Sequence, residues 1–175
     1  MNQTIIQKIR QIRCLICDVD GVLTDGRLYI DSNGNDMKSF HVQDGMGLKL
    51  LMAAGVEVAV ITTSNTEVID KRMAQLGVIH YFKGQVDKRE AYQSLKEKLN
   101  LVDEQIAYIG DDYPDLPLIK WCGLGIAVAN AIEPVKQQAD WVTQTSGGNG
   151  AVREVCDAFL TAKDCLNQAL ESYYQ

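Results

Sequence analysis

Short apolar runs alternate with segments of helical periodicity, and this alternation constrains the fold more than any other feature of the chain. We predict strands at 12–17, 56–61, 78–82, 106–109, 125–128 and 141–142. We predict helices at 44–54, 66–76, 88–99, 116–121 and 134–139, and a long terminal helix from 152 onward. Strands that alternate with helices pair in parallel through right-handed crossovers. The sequence therefore predicts an α/β protein, a doubly wound, Rossmann-like parallel sheet in a single domain over residues 1–175.

A second pattern interrupts this alternation after the first strand. Residues 27–30 and 37–42 have a β-like composition, and the segment between them contains Asn33-Gly34, which is typical of hairpin turns. We therefore predict a small β-hairpin inserted over residues 27–42. Such a short insertion cannot act as a lid, so we expect another element to cover the nearby sheet edge.

Composition and charge exclude several classes of protein. The net charge is -6, and the chain lacks the clustered lysine and arginine of a nucleic-acid binder. No apolar stretch approaches the length that spans a bilayer, and residues 1–13 lack a signal-peptide core, so we predict a cytoplasmic protein without membrane contacts. Cys14 and Cys17 have C-x-x-C spacing, but residues three apart on a strand point to opposite faces. We expect all five cysteines to be free thiols.

Polar side chains that can do chemistry follow the ends of several predicted strands. They are Asp18, Asp20, Thr62, Lys88, Asp111, Asp112 and Asp115. The carboxyl ends of parallel strands meet at one edge of a sheet, where open α/β sheets bind their ligands. A carboxylate can attack phosphorus, a second carboxyl can exchange protons, and a hydroxyl, an ammonium and a divalent ion can hold phosphate oxygens. The set favours phosphoryl transfer, with Asp115 supporting the following helix or a metal-bound water.

Four motifs, DVDGVLTDG, VITT, the lysine of QVDK and IGDDYPD, resemble in sequence and order those of the haloacid dehalogenase superfamily. This resemblance implies that Asp18 is the nucleophile and Asp20 the acid and base. It implies that Thr62 and Lys88 bind the phosphate. It also implies a Mg²⁺ ion held by Asp18, by the backbone carbonyl of Asp20 and by Asp111.

Longer segments are similar to the 3-deoxy-D-manno-octulosonate 8-phosphate phosphatase family, namely DVDGVLTDGRLYI, FHVQDGMGLKLL, YIGDDYPDLPLI and GGNGAVREVCD. The resemblance implies a phosphatase that acts on this phosphorylated sugar acid in lipopolysaccharide biosynthesis. It implies a homotetramer in which hairpins associate and neighbouring chains cover each site. It also implies substrate contacts by Asp20, His41, Val42, Gln43, Asp44, Gly45, Lys49, Ser64, Arg72 and Lys88, with Arg153 as a further candidate.

One segment departs from that family and leaves alternatives open. The chain has Thr63 and Ser64 where the family usually has a glycine and a basic residue. Without that basic residue, the chain lacks one cationic hydrogen bond to the sugar carboxylate. We therefore keep a nonulosonate (sialic-acid-like) 9-phosphate as the alternative substrate. A signalling receiver domain is a remote alternative. In receiver domains, the phosphorylated aspartate follows the third strand of the sheet. Here residues 82–84 offer no acid at that point.

Overall fold

The computed structural model describes residues 2–174, apart from the side chain of Ser172. The strands are β1 (Cys14–Cys17), β2 (Tyr29–Ile30), β3 (Asp36–Met37), β4 (Glu57–Ile61), β5 (His80–Phe82), β6 (Ile106–Gly110), β7 (Leu124–Ala127) and β8 (Trp141–Val142). Six of them form a parallel sheet in the order β5-β4-β1-β6-β7-β8. β2 and β3 form a separate antiparallel pair. The predicted doubly wound sheet and inserted hairpin are both present.

Eight α-helices in the described residues connect or flank these strands. They are α1 (Gln3–Gln11), α2 (Val42–Ala53), α3 (Glu67–Leu76), α4 (Lys88–Leu99), α5 (Leu116–Trp121), α6 (Glu133–Gln138), α7 (Ala151–Ala162) and α8 (Leu166–Leu170). α2 packs against α3 and α7, and α7 packs against α1, whereas α5 packs against α4 and α6. Right-handed crossovers place these two groups of helices on opposite faces of the sheet.

The central strand β1 sets the position of the site. All four of its residues are buried, and it pairs with β4 on one side and β6 on the other. Cys17 at its end is in register with Val60 and Ile109. The residues that follow β1, β4 and β6 therefore emerge together at the carboxyl edge of the sheet, as predicted.

The amino-terminal segment differs from the prediction. No helix was expected before the first strand, yet α1 occupies residues 3–11, and the strand predicted from residue 12 begins at Cys14. The Asn2 side chain accepts the Ile5 N–H and caps the helix, while Ile5 and Ile9 bury one stripe of it. Two buried isoleucines four residues apart were the available signal, and polar neighbours on the other face obscured it.

The hairpin and the terminal helix also differ in extent. Each hairpin strand has only two residues, and Val42, predicted as strand, is the first residue of α2. The predicted long terminal helix is interrupted after Ala162, because Asp164 adopts a left-handed conformation with a φ of 58° before α8 begins. The hairpin therefore has far fewer ladder hydrogen bonds than the predicted ranges implied.

Two further observations concern the cysteines and the membrane. All five cysteines are free, and four of them are buried, as expected for small apolar side chains in the core. Within residues 2–174, no helix has both the length and the apolar character to cross a bilayer.

Candidate active site

A buried lysine joins two carboxylates at the carboxyl edge of the sheet. Lys88, the first residue of α4, is 1% exposed. Its Nζ lies 2.9 Å from Asp18 Oδ1 and 2.6 Å from Asp115 Oδ1. Burial disfavours the charge of Lys88, but the two carboxylates outweigh it and raise its pKa. The ammonium is therefore charged and held in place by residues that follow β1 and β6.

Asp18 is the first residue after β1, and its backbone N–H donates to Ile109 O at 3.1 Å. Burial and the nearby Asp115 carboxylate raise the pKa of Asp18 to about 7, although Lys88 acts in the opposite direction. This carboxylate is therefore poorly solvated, and its pKa is close to neutral. Residues in active sites often have such perturbed pKa values.

Asp111 completes a group of three carboxylates that fits a divalent cation. Asp18, Asp111 and Asp115 each offer an oxygen atom, and these atoms lie within 4.8 Å of one another. Burial and the other two carboxylates raise the pKa of Asp111 to about 8. Asp111 Oδ1 is buried without a hydrogen-bond partner in the described residues. Carboxylate oxygens are the hard ligands that Mg²⁺ prefers, and three carboxylates beside one ammonium leave a net negative charge at the site.

Gly21 makes the close approach of Asp111 possible. It has a φ of 85°, and a Cβ atom at this position would collide with the Asp111 carboxylate. Any other residue would be strained in this backbone conformation and would displace the carboxylate. The glycine of DVDG thus has a local steric cause.

Asp115 and Tyr108 support the group from within the core. Asp115 is fully buried, and its Oδ2 accepts the backbone N–H groups of Asp111 and Asp112 at 2.8 and 3.1 Å. Tyr108 Oη donates to Asp115 Oδ1 at 2.6 Å. Asp115 was predicted to support the following helix or a metal-bound water, but its side chain makes no capping hydrogen bond to α5 and instead contacts Lys88 directly. Sequence reasoning missed Tyr108, whose hydroxyl in a buried strand needs a partner and was the available signal.

The Asp20 side chain does not belong to the group of three carboxylates and has a different partner. Its Oδ1 accepts from Lys38 Nζ at 2.6 Å. The prediction for metal binding concerned only the Asp20 backbone carbonyl, and this assignment stays a prediction. Sequence reasoning missed Lys38, because nothing in the spacing of the hairpin indicates which side chain turns toward β1.

Thr62 follows β4 directly and is fully buried. Its Oγ1 accepts the Ser64 N–H at 3.1 Å, and its own N–H donates to Phe82 O at 2.9 Å. Since β4 pairs with β1, Thr62 lies at the same sheet edge as Asp18. Its predicted contact with phosphate stays a prediction.

A glycine-rich segment, residues 146–150, packs on the loop that follows β1. Gly148 N–H donates to Val22 O at 3.0 Å, and a Cβ at Gly147 would collide with the Gly21 carbonyl. Asn130 joins both segments, since its Nδ2 donates to Gly21 O at 3.1 Å and its Oδ1 accepts the Gly147 N–H at 2.6 Å. Sequence reasoning missed this tie, which fixes the backbone beside the Asp20 carbonyl.

Asp44 is one of the predicted substrate contacts, and it is 1% exposed. Its Oδ1 accepts the backbone N–H of Arg153 at 2.7 Å, in the first turn of α7. Asp44 thereby caps a helix whose own N-cap, Gly150, has no side chain. The Arg153 side chain pairs with Asp157 at 2.7 Å. The structure gives both residues structural partners, and their contacts with a substrate stay predictions.

Arg72 has few partners for a half-buried guanidinium. Its Nε is buried without a hydrogen-bond partner in residues 2–174, and its Cζ lies 5.6 Å from the Phe40 ring centroid. A Cβ at Gly45 would overlap the Arg72 guanidinium, so that glycine is needed for the packing. The unpaired donor favours a role in binding an anion.

The other predicted substrate contacts are spread along α2 and the turn after β4. Val42, Gln43 and Lys49 are exposed, whereas His41 and Ser64 are partly buried. His41 Nδ1 is buried and has no partner within the described chain. The roles of these residues stay predictions.

Comparison with known proteins identifies the family. The sequence profile of the haloacid dehalogenase-like hydrolases matches residues 59–155, which is more than half of the chain. The chain belongs to this family. The predicted enzyme class, a phosphoric monoester hydrolase with this fold, is thereby confirmed.

Individual relatives of this hydrolase are similar over nearly its full length. It is 44% identical to the 3-deoxy-D-manno-octulosonate 8-phosphate phosphatase of Escherichia coli (strain K12) over 169 residues, which cover 97% of this chain and 90% of that protein. A crystal structure of the phosphatase of the same name from Yersinia pestis matches with a TM-score of 0.94 and 43% identity, covering 95% of this hydrolase and 90% of that chain.

A third relative holds ligands. The phosphatase of the same name from Moraxella catarrhalis was crystallised with a magnesium ion, a phosphate ion and a KDO molecule. It matches with a TM-score of 0.93 and 40% identity, covering 99% of this hydrolase and all of that chain. The predicted magnesium cofactor agrees with that structure and with the three carboxylates of this hydrolase.

Proposed function

We propose that this hydrolase removes phosphate from 3-deoxy-D-manno-octulosonate 8-phosphate, with Mg²⁺ bound and through an aspartyl-phosphate intermediate. The observation that carries the proposal is the buried contact of Lys88 with Asp18, beside the unpartnered Asp111 oxygen. The substrate is proposed from the similarity to three phosphatases of that name.

In the first step, an Asp18 carboxylate oxygen attacks phosphorus, and the bond between phosphorus and the sugar oxygen breaks. Asp20 gives its proton to that departing oxygen, so the sugar acid leaves as an alcohol. In the second step, Asp20 takes a proton from water as the water oxygen attacks phosphorus. Inorganic phosphate leaves, and Asp18 is regenerated as a carboxylate.

Several groups would stabilise these steps. The Lys88 ammonium, 2.9 Å from Asp18, and the Thr62 hydroxyl are proposed to hold phosphate oxygens. Asp18, Asp111 and the Asp20 carbonyl would hold the magnesium ion. When bound, Mg²⁺ neutralises charge on the phosphate and favours the charged form of the surrounding carboxylates.

Arg72 is the proposed ligand of the sugar carboxylate. Its buried Nε lacks a partner in the described residues, and a guanidinium fork can donate two parallel hydrogen bonds to a carboxylate. The remaining predicted contacts, His41, Val42, Gln43, Lys49 and Ser64, are proposed to line the same end of the substrate.

We also propose that the enzyme is a homotetramer in the cytoplasm, where hairpins associate and neighbouring chains cover each site. Leu28, Ile30 and Met37 on the hairpin are 72%, 64% and 57% exposed. Adjacent exposed apolar side chains on a two-stranded ribbon mark a surface that another chain covers.

A nonulosonate 9-phosphate is the second candidate substrate. Thr63 and Ser64 occupy positions where a glycine and a basic residue are usual, and Thr63 is exposed beside the predicted phosphate ligand Thr62. A longer, neutral polyol chain is compatible with hydroxyl side chains there, whereas the family cation is absent from these two positions.

Phosphate release from a panel of esters tests the proposal. The panel contains the eight-carbon sugar acid 8-phosphate, a nonulosonate 9-phosphate and glucose 6-phosphate, each with Mg²⁺ and with a chelator. We expect kcat/KM to be highest for the eight-carbon substrate and chelation to abolish release. A higher kcat/KM for the nine-carbon ester would favour the second candidate, and equal values for all three esters would contradict both.

A further inference from the structure

A lysine outside the predicted site contacts the proposed acid and base. Lys38 directly follows β3 of the hairpin, and its side chain is 3% exposed. Its Nζ lies 2.6 Å from Asp20 Oδ1 and 3.6 Å from Asp36 Oδ2. The hairpin therefore reaches the site through one buried ammonium.

The Lys38 side chain is 3% exposed and that of Asp20 is 35% exposed, so this ion pair is better shielded from solvent than an ordinary surface pair. Exposed lysines lose rotamer entropy when they pair and are screened by solvent. Each group gives the other a partner of opposite charge at 2.6 Å, so Lys38 and Asp20 constrain each other's position. Asp36 Oδ1 is buried without a hydrogen-bond partner in residues 2–174. The Lys38 ammonium, 3.6 Å from Asp36 Oδ2, also stabilises this carboxylate.

The rest of the hairpin is weakly attached to the domain. Two-residue strands are marginal alone, and one isolated bridge, between Thr24 and Phe40, connects the base of the insertion to the loop after β1. The apolar side chains of Leu28, Ile30 and Met37 are exposed, whereas Phe40 at the base of the hairpin packs against the core. The position of Lys38 thus depends on its contact with Asp20, on Phe40 and on what covers the exposed side chains.

We propose that Lys38 is a positioning residue that holds the Asp20 carboxyl where it exchanges a proton with the departing sugar oxygen. Lys38 itself gives up no proton, and the electron pair of the broken bond goes to the sugar oxygen. The inference rests on the proposed function, and it makes the hairpin a structural part of proton transfer.

Leaving-group dependence tests this role. A sugar oxygen needs a proton as it leaves, whereas a nitrophenolate leaves without one, and kcat/KM reports the steps up to the first departure. In Lys38→Met, we expect kcat/KM to fall about tenfold or more for the eight-carbon sugar phosphate and less than about threefold for p-nitrophenyl phosphate. Lys38→Arg keeps the charge but moves the donor. We expect kcat/KM to fall more for the sugar phosphate than for p-nitrophenyl phosphate in this variant too, with a smaller difference than in Lys38→Met.

The matched control is Lys8→Met, which removes an ion pair of the same 2.6 Å length, with Asp140, far from the site. It should leave both substrates unchanged. Equal losses on both substrates, or no loss on either, would overturn the role of Lys38. If Lys38→Met does not fold, the Lys38→Arg comparison decides by the same criterion.

The outcomes also separate this inference from the proposed function. Wild-type enzyme that hydrolyses another sugar phosphate but not the eight-carbon one contradicts the proposed substrate, and the Lys38 comparison is then made with that other ester. Wild-type enzyme that hydrolyses no ester contradicts both. An active wild type with no gap between leaving groups in the variants contradicts only the inference.

Discussion

The sheet edge and the hairpin lie on either side of the proposed site, and they are stabilised in different ways. At the sheet edge, Asp18, Lys88 and Asp115 are buried and follow elements that the core fixes. On the hairpin, Lys38 is buried, while its apolar neighbours face outward. The first region is complete within one chain, whereas the second has an uncovered apolar surface.

This difference separates chemistry from assembly. Charges packed against a parallel sheet keep their geometry without a partner, because the strands on both sides hold the backbone. A short ribbon has too few hydrogen bonds to hold itself, so its position responds to what packs on it. We therefore expect substitutions at the sheet edge to remove activity and substitutions on the hairpin to alter it.

Lys88→Met should have the largest effect. It leaves the buried carboxylates of Asp18 and Asp115 without their cation, which costs about 3–5 kcal/mol of unfolding free energy. We expect kcat to fall by about 10²–10³-fold in protein that remains folded. Urea unfolding and phosphate release measure the two effects. Lys83→Met, which removes an exposed pair with Asp70, is the control and should change neither.

Removing the metal should make the free energy of unfolding depend on pH through the buried carboxylates. The pKa values of Asp18 and Asp111 are raised from 3.8 to about 7 and about 8. Without metal, the folded state therefore holds protons that the unfolded chain has lost, and these groups make stability fall as pH rises from about 4 to about 8. Because Mg²⁺ binds the charged carboxylates, it should raise Tm more near pH 8 than near pH 5.5.

Thermal unfolding with and without Mg²⁺ at both pH values tests this expectation. Asp111→Asn removes one carboxylate, so it should raise the Tm of the metal-free protein near pH 8 and abolish most of the response to Mg²⁺. An equal response to Mg²⁺ at both pH values, retained in this variant, would show that the ion binds elsewhere.

Removing apolar surface from the hairpin should have an intermediate effect. The double variant Ile30→Ser, Met37→Ser removes apolar side chains that are already exposed in a single chain. The Tm of the unassembled chain should therefore barely change. We expect sedimentation to show smaller assemblies. We also expect kcat/KM to fall more for the sugar phosphate than for p-nitrophenyl phosphate, because Lys38 loses its support. Unchanged sedimentation would show that the hairpin is not the interface.

Tyr108→Phe should have the smallest effect on the site. It removes a buried hydrogen bond to Asp115, but Lys88 still contacts the same carboxylate oxygen. We expect a loss of about 1 kcal/mol in unfolding free energy and a few-fold lower kcat. Tyr92→Phe is matched, since it removes a 2.8 Å bond to Asp103 away from the site. Tyr92→Phe should lower the free energy of unfolding by a similar amount and leave kcat unchanged. A kcat loss as large as that of Tyr108→Phe would contradict the role of Tyr108 in positioning Asp115.

The contrast between the two regions also explains how far sequence reasoning reached. The succession of strands and helices along the chain and the position of Asp18, Thr62, Lys88 and Asp111 could be predicted, because apolar runs determine which residues follow a strand. Parallel pairing then brings those residues to one edge. The prediction needs only the backbone, so it survives errors of a few residues in the element ends.

Contacts that side chains make with elements distant in the sequence could not be predicted. Lys38 with Asp20 and Asp44 with the Arg153 N–H depend on how the hairpin and two helices pack, and no local spacing encodes that packing. α1 was missed for a related reason, since two buried isoleucines define its inner face only once α7 lies beside it. Tertiary context decided each of these cases.

The most direct test of the account is a rapid acid quench of Asp20→Asn with Mg²⁺ and p-nitrophenyl phosphate, whose leaving group needs no proton from Asp20, followed by mass spectrometry of the peptide that contains residue 18. Without the base that activates water, the phosphorylated enzyme should accumulate, with one phosphoryl group on Asp18. Asp18→Asn should carry no such group and release no phosphate. Phosphate release by Asp18→Asn at the wild-type rate, or a phosphoryl group on another residue, would contradict the central claim.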